Sequence, residues 1–279
     1  MKCSRLPAGK PDRQPLVVTQ MTIRMFKNLP CIKIDGESAK AGTHEVIDEA
    51  PEALFVNGRH AMTAMMSPTD LEDFVNGYLF TEQIIKSADE IESIRIEKNR
   101  ISVITKNLFK VLGPKKTILS GCGGATSYID TEKLPKITSD LIISPELIRT
   151  TVREVLESDL HKMTGGIHVV GLASAKGIIT RSEDIGRHNA LDRVIGYGLR
   201  NKIDFSQTFT ICSGRISSEM VRKCLIANIP VVVSRGATTT LAVTIAEQTG
   251  VCVIGFVRSM KMNIYSHPER VRGAPSLPQ

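Results

Sequence analysis

After residue 160 the chain alternates short β-branched runs with longer stretches whose apolar residues recur at helical spacing, a pattern of βα units in one sheet. His168–Ala173 and Ile178–Arg181 read as a hairpin around Lys176-Gly177, followed by a helix from His188 to Leu199. Strand Thr208–Cys212 then leads to helix Ser217–Ala227, strand Val231–Ser234 leads to helix Thr239–Gln248, and Gly250 precedes strand Val251–Val257. The first half carries shorter strand-like runs at Thr22–Met25, Glu52–Val56, Ile91–Ile96 and Ile101–Ile104, with Asn57-Gly58 as a turn signal. One helix interrupts them. Its apolar face is Leu71, Phe74, Val75, Tyr78 and Leu79, and Ser67 or Thr69 stands where a cap is expected. The pattern predicts an α/β fold, α+β overall, in three parts. Residues 1–20 form a flexible lead-in, 21–141 a smaller strand-rich N-terminal domain with a loop at 113–140, and 142–279 an α/β domain.

Composition narrows what such a fold could do. A chain of 279 residues can bury a substantial core without staples, and its six cysteines include no Cys-x-x-Cys pair, so neither a disulfide framework nor a zinc cluster is expected. Cys212, Cys224 and Cys252 fall in apolar runs and read as small hydrophobes. The net charge of +7 favours anionic partners. Nucleic acid is disfavoured, because tryptophan is absent, aromatics are 4% and no basic run is interleaved with stacking residues. No stretch reaches the ~18 apolar residues of a membrane span and no signal-like segment opens the chain, so a cytoplasmic protein without membrane contact is expected.

Two features carry candidate chemistry. Cys122, in Ser120-Gly121-Cys122-Gly123-Gly124, has glycine on both sides, which suits a presented loop thiol rather than a strand or helix. The second feature is a recurrence at strand ends: Ser213-Gly214-Arg215, Ser234-Arg235-Gly236 and Arg258-Ser259, with Gly186-Arg187-His188 adding a fourth turn at a helix start. Parallel strands would bring these ends to one edge, and four arginine turns at helix starts favour phosphate or carboxylate there. Thr164-Gly165-Gly166-Ile167-His168 places a histidine after two glycines, and alone it reads as structural. Met62, Met65 and Met66 read as core filling, and Tyr265-Ser266-His267-Pro268 as a turn near basic residues.

Together, several segments resemble the FdhD/NarQ family, the sulfurtransferases required for formate dehydrogenase activity. They include Ser120-Gly121-Cys122-Gly123, Thr164-Gly165-Gly166-Ile167-His168, Glu183-Asp184-Ile185-Gly186-Arg187-His188-Asn189, Ser213-Gly214-Arg215-Ile216-Ser217-Ser218-Glu219 and Tyr265-Ser266-His267-Pro268-Glu269-Arg270, in order over about residues 45 to 271. The resemblance implies a cytidine-deaminase-like C-terminal domain, without the zinc signature a deaminase needs. It also implies that Cys122 accepts persulfide sulfur from a cysteine desulfurase and passes it to the molybdenum bis(molybdopterin guanine dinucleotide) cofactor, in a homodimer serving formate dehydrogenase. Phe256, Val257, Arg258, Ser259, Met260 and Lys261 match the cofactor-holding segment, and Arg187, His188, Ser213 and Arg215 complete the expected set. Ala125 replaces the second cysteine many members carry, Met260 stands where glycine is usual, and Lys261 where arginine is usual. A cofactor-binding chaperone that moves no sulfur is the alternative, and a hydrolase pairing Cys122 with His168 or His188 is a third reading.

Overall fold

The computed structural model describes residues 25–107 and 134–278, so Cys122, the lead-in and most of the 113–140 loop lie outside the described residues, as does Thr22–Met25 apart from Met25. The described chain opens with β1 (Phe26–Asp35) and β2 (Ser38–Ile47), an antiparallel ribbon paired with no other strand. The sequence reading missed it, because its apolar residues are not buried: Ile32 and Ile34 are 65% and 74% exposed. Next, β3 (Ala50–Val56), β4 (Arg59–Met66), β5 (Ile91–Glu97) and β6 (Arg100–Thr105) make a sheet in the order β4-β3-β6-β5. Asn57 and Gly58 form its first turn with φ of 50° and 78°, the left-handed conformation that Asn-Gly supplies at low cost. Met62 and Met66 are buried in this sheet's core, as expected.

Helix α1 (Leu71–Thr81) covers the sheet with Phe74, Val75, Tyr78 and Leu79. Its cap differs from expectation. Asp70 holds the N-cap position at φ 46° with no side-chain cap bond, while Ser67 is fully buried and its backbone is committed elsewhere. The Ser67 N–H donates to Asp184 Oδ2 at 3.0 Å, and its carbonyl accepts from Arg193 Nη2 at 2.6 Å.

The second half is a three-layer α/β unit. Strands β7 (His168–Ser174), β8 (Gly177–Asp184), β9 (Thr208–Cys212), β10 (Val231–Ser234), β11 (Cys252–Arg258) and β12 (Lys261–Ile264) lie in the order β12-β11-β10-β9-β7-β8. Strands β9, β10 and β11 are parallel, as the alternation predicted. Alternate side chains face opposite layers: Val232 and Val253 pack under α4 (Arg187–Arg200), α5 (Ser218–Ile226) and α6 (Thr240–Thr249), while Val231, Val233 and Ile254 pack under α2 (Pro145–Val155). The sequence reading missed α2, the short α3 (Asp159–Thr164) and β12. The signal for α2 was present, since Ser144 caps it by accepting the Leu147 N–H at 3.1 Å and Pro145 starts its first turn.

Helix α1 also packs on α4, which joins the two halves closely. A Cβ on Gly77 would sit 1.7 Å from the Asp192 carbonyl oxygen, and one on Gly196 would sit 1.8 Å from that of Asp73, so both positions require glycine. Beside this crossing, Lys223 Nζ lies 2.9 Å from Asp192 Oδ2 and 3.0 Å from Thr81 Oγ1, tying α5, α4 and α1 together. At the start of α4, Asp184 pairs with Arg193 at 2.8 Å in full burial. Removing one member of such a pair leaves a buried uncompensated charge, a cost of about 3–5 kcal/mol. Asp184→Asn is therefore expected to lower stability by about that amount in urea unfolding, and Asp184→Leu with Arg193→Met to recover most of it.

Candidate functional site

The parallel strands bring the ends of β9, β10 and β11 to one edge, and hydrogen bonds to backbone carbonyls lace the following loops into a shelf. Ser234 Oγ donates to Gly214 O at 2.6 Å, Arg235 N–H to Cys212 O at 3.3 Å, Ile216 N–H to Ala237 O at 2.9 Å and Phe256 N–H to Gly236 O at 2.9 Å. The shelf fixes where the arginines start. Among the described residues, Arg149, Arg153, Arg235 and Arg258 line one cleft of about 1050 Å³. Val257, Ser259 and Met260 complete that wall. None of the four guanidiniums has an ion-pair partner among the described residues, while Glu146 and Glu157 are the carboxylates in the lining. The cleft is therefore positive and suited to an anion.

A second hollow of about 300 Å³ adjoins it across Arg235 and is lined by His161, His168 and Ser213. Arg187 and His168 flank Gly214: a Cβ there would lie 2.9 Å from the imidazole and 3.2 Å from Arg187 Cδ. Arg187 Nε is buried with no hydrogen-bond acceptor among the described residues. Burial, then the Arg187 charge and His161, push the His168 pKa down, so its imidazole is neutral at pH 7.

The expected site residues are therefore partly assembled. Arg258, Ser259 and Met260 face the large cleft, whereas Lys261 lines a neighbouring hollow with Arg149 and Arg272. Val257 is 2% exposed and backs the cleft from the core. Phe256 is exposed, held at φ 53° beside a bulge in the β11–β12 pairing. Met260 carries no left-handed strain, because the positive φ of this hairpin turn, 47°, falls on Ser259. Arg215 is exposed at the end of β9. Two corrections follow. Arg258 leads into β12 rather than a helix, so three of the four arginine turns, not four, precede helices. His188 turns away from both hollows toward the start of α5, with Nε2 3.3 Å from Ser217 Oγ and 3.6 Å from Glu219. Sequence reasoning missed Arg149, Arg153 and His161, although the i, i+4 spacing of the two arginines on α2 was a usable signal.

Burial outweighs Glu219 and pushes the His188 pKa down to about 4. A folded pKa below the unfolded ~6.5 gives stability that is complete above pH 6.5 and lost as pH falls toward 4. His188→Asn should flatten the fall in urea midpoint between pH 6.5 and 4.5, measured against the parent chain.

Comparison with known proteins agrees with this architecture. The FdhD/NarQ family model matches residues 47–272. The sulfur carrier protein FdhD of Wolinella succinogenes is 35% identical over 263 residues, covering 90% of this chain and 91% of the relative. The Staphylococcus aureus sulfur carrier protein FdhD is 33% identical over 252 residues, covering 87% and 95%. A crystal structure of a formate dehydrogenase accessory protein from Desulfotalea psychrophila superposes with a TM-score of 0.75 at 27% identity, over 89% of this chain and all of that one. The fold, the strand-end shelf and these matches together place the chain in the FdhD/NarQ family.

Proposed function

We propose that this protein accepts sulfane sulfur from a cysteine desulfurase as a persulfide on Cys122 and passes it to a molybdenum bis(molybdopterin guanine dinucleotide) held at the strand-end cleft, in service of formate dehydrogenase. The cofactor here is the acceptor substrate. One observation carries the reading: Arg149, Arg153, Arg235 and Arg258, none ion-paired among the described residues, line one cleft, which fits a ligand bearing several phosphates. The names of the relatives as sulfur carriers support the sulfur step.

Three of the four described cysteines support it from the other side, the fourth being the half-buried Cys31 of β1. A persulfide forms on a thiolate, and burial pushes the thiols of Cys212, Cys224 and Cys252 up to about 11, 12 and 12. None of these three is ionised at neutral pH, and none reaches solvent. Glycine on both sides of Cys122 puts no side chain next to it in the sequence, which suits a carrier that visits two partners. A single thiol is enough to carry one sulfur, so Ala125 is compatible with the role.

The chaperone alternative separates cleanly. Cys122→Ala is expected to abolish maturation of formate dehydrogenase while leaving binding of the guanine dinucleotide cofactor intact, measured by coexpression activity and by cofactor retention. Arg258→Ala is expected to weaken cofactor binding about tenfold or more while Cys122 still loads sulfur. Normal maturation by Cys122→Ala would favour the chaperone.

A further inference from the structure

Strand β12 ends the six-stranded sheet, and among the described residues it pairs with β11 alone. Just beyond it, the Tyr265 N–H donates inward to the Val253 carbonyl at 2.9 Å. Residues of an antiparallel ladder turn their backbone groups inward and outward in alternation, so the N–H and C=O of Ile264 and Met262 point away from the sheet. A hollow of about 460 Å³ runs beside them. All four residues of β12 line it, although consecutive side chains of a strand point to opposite faces. A hollow that meets both sets lies along the strand's edge rather than on one face. Residues 271–275 form its far side, and Arg149 and Met260 are walls it shares with the large cleft.

We propose that this groove docks an extended acidic segment of the enzyme that receives the sulfurated substrate, adding it as a further strand beside β12. An open strand edge supplies backbone bonds to any extended chain, and the side chains around it choose which. Here the floor is apolar. Met262, Ile264 and Ala274 pack on the core under α2 yet stay only partly buried, and Met260, 76% exposed, stands where the groove meets the cleft. The rim is basic, with Arg149, Lys261 and Arg272 and no carboxylate in the lining. A segment with apolar residues at alternate positions and carboxylates between them matches both. Charge decides against other occupants. Residues 1–24 of this chain carry Lys2, Arg5, Lys10, Arg13 and Arg24 against Asp12, and residues 108–133 carry four lysines against Asp130 and Glu132, so neither complements a basic rim. A second copy pairing β12 on β12 would set like charges against each other, and the edge Lys261 and the bulge in the β11–β12 pairing are devices that blunt self-pairing. A bare phosphate uses neither the apolar floor nor the open backbone. That the partner is the receiving enzyme rests on the function given above, because the groove adjoins the cleft assigned to the substrate; the docking mode does not.

The test titrates the full chain, its ten methionine methyls labelled with carbon-13, with a blocked six-residue peptide alternating Glu and Val. The Met262 methyl resonance, assigned through Met262→Leu, should shift saturably as the peptide is raised into the millimolar range. Methylating the peptide's amide nitrogens should weaken binding at least about tenfold, since the added-strand bonds are lost while the charge stays. Arg272→Glu should weaken it about fivefold or more, and a peptide alternating Lys and Val should leave the signal still. An unmoved Met262 signal, or equal binding by the methylated peptide, would overturn the docked strand. So would displacement of the peptide by pyrophosphate at that signal, which makes the groove an anion site, or a Met262 shift on concentrating the protein alone, which makes it a contact between copies. In coexpression, Arg272→Glu should lower formate dehydrogenase maturation about fivefold while Cys122 loads sulfur as in the parent chain. Unchanged maturation, or lost sulfur loading, overturns the receiving enzyme as the partner. No peptide reading involves Cys122, so a flat titration leaves the carrier role standing, while an active Cys122→Ala protein refutes the carrier role and leaves the titration untouched.

Discussion

The Asp184–Arg193 ion pair, 2.8 Å apart and shut off from solvent, fixes the geometry on which the site depends. Burial pushes the Asp184 carboxyl up, against the pull of Arg193 and of N–H donors from Gly186 at 2.7 Å, Asn189 at 2.9 Å and Ser67 at 3.0 Å. Those partners come from both halves of the chain. Ser67 precedes α1, and Gly186 and Asn189 belong to the turn that starts α4, so one carboxylate sets the distance between the strand-rich sheet and the α/β unit. Such pairs rarely add net stability over a hydrophobic replacement, but they are intolerant of losing one member. Their value here is positional: the turn held by Asp184 is the one that aims Arg187 at Gly214 and His168.

From that turn the constraint passes along the shelf. Gly214 is closed in by His168 and Arg187, Gly236 approaches Gly214, and the Phe256 N–H reaches Gly236. Each loop is therefore positioned by its neighbour rather than by side-chain contacts with solvent-facing groups. The left-handed backbones at Phe256 and Ser259 persist because this lacing over-determines them. The result is a rim of guanidiniums with few carboxylates, and that imbalance makes the edge positive.

The α/β half was legible because each parallel strand is buried on both faces and its helices carry recognisable end signals, Ser217 and Thr239 starting α5 and α6 and Gly250 ending α6. The ribbon of β1 and β2 was not, since its strands bury no face against a core and so carry no clean alternation. The α1 cap was misread for a tertiary reason: Ser67 has the right residue type for a cap, but Asp184 and Arg193 claim its backbone. At the site, the strand-end arginines were found from position alone. Arg149, Arg153 and His161 reach it from elements on the other face of the sheet, and a strand-by-strand reading does not bring distant elements together. The turning of His188 toward Glu219 is likewise a property of packing between α4 and α5.

The central claim is that Cys122 carries sulfur. It is tested most directly by intact mass after incubating the full chain with a cysteine desulfurase and cysteine, before and after cyanide. The account expects a gain of one sulfur atom that maps to Cys122 and is removed by cyanide. No gain, or a cyanide-labile gain that persists in Cys122→Ala, would contradict it.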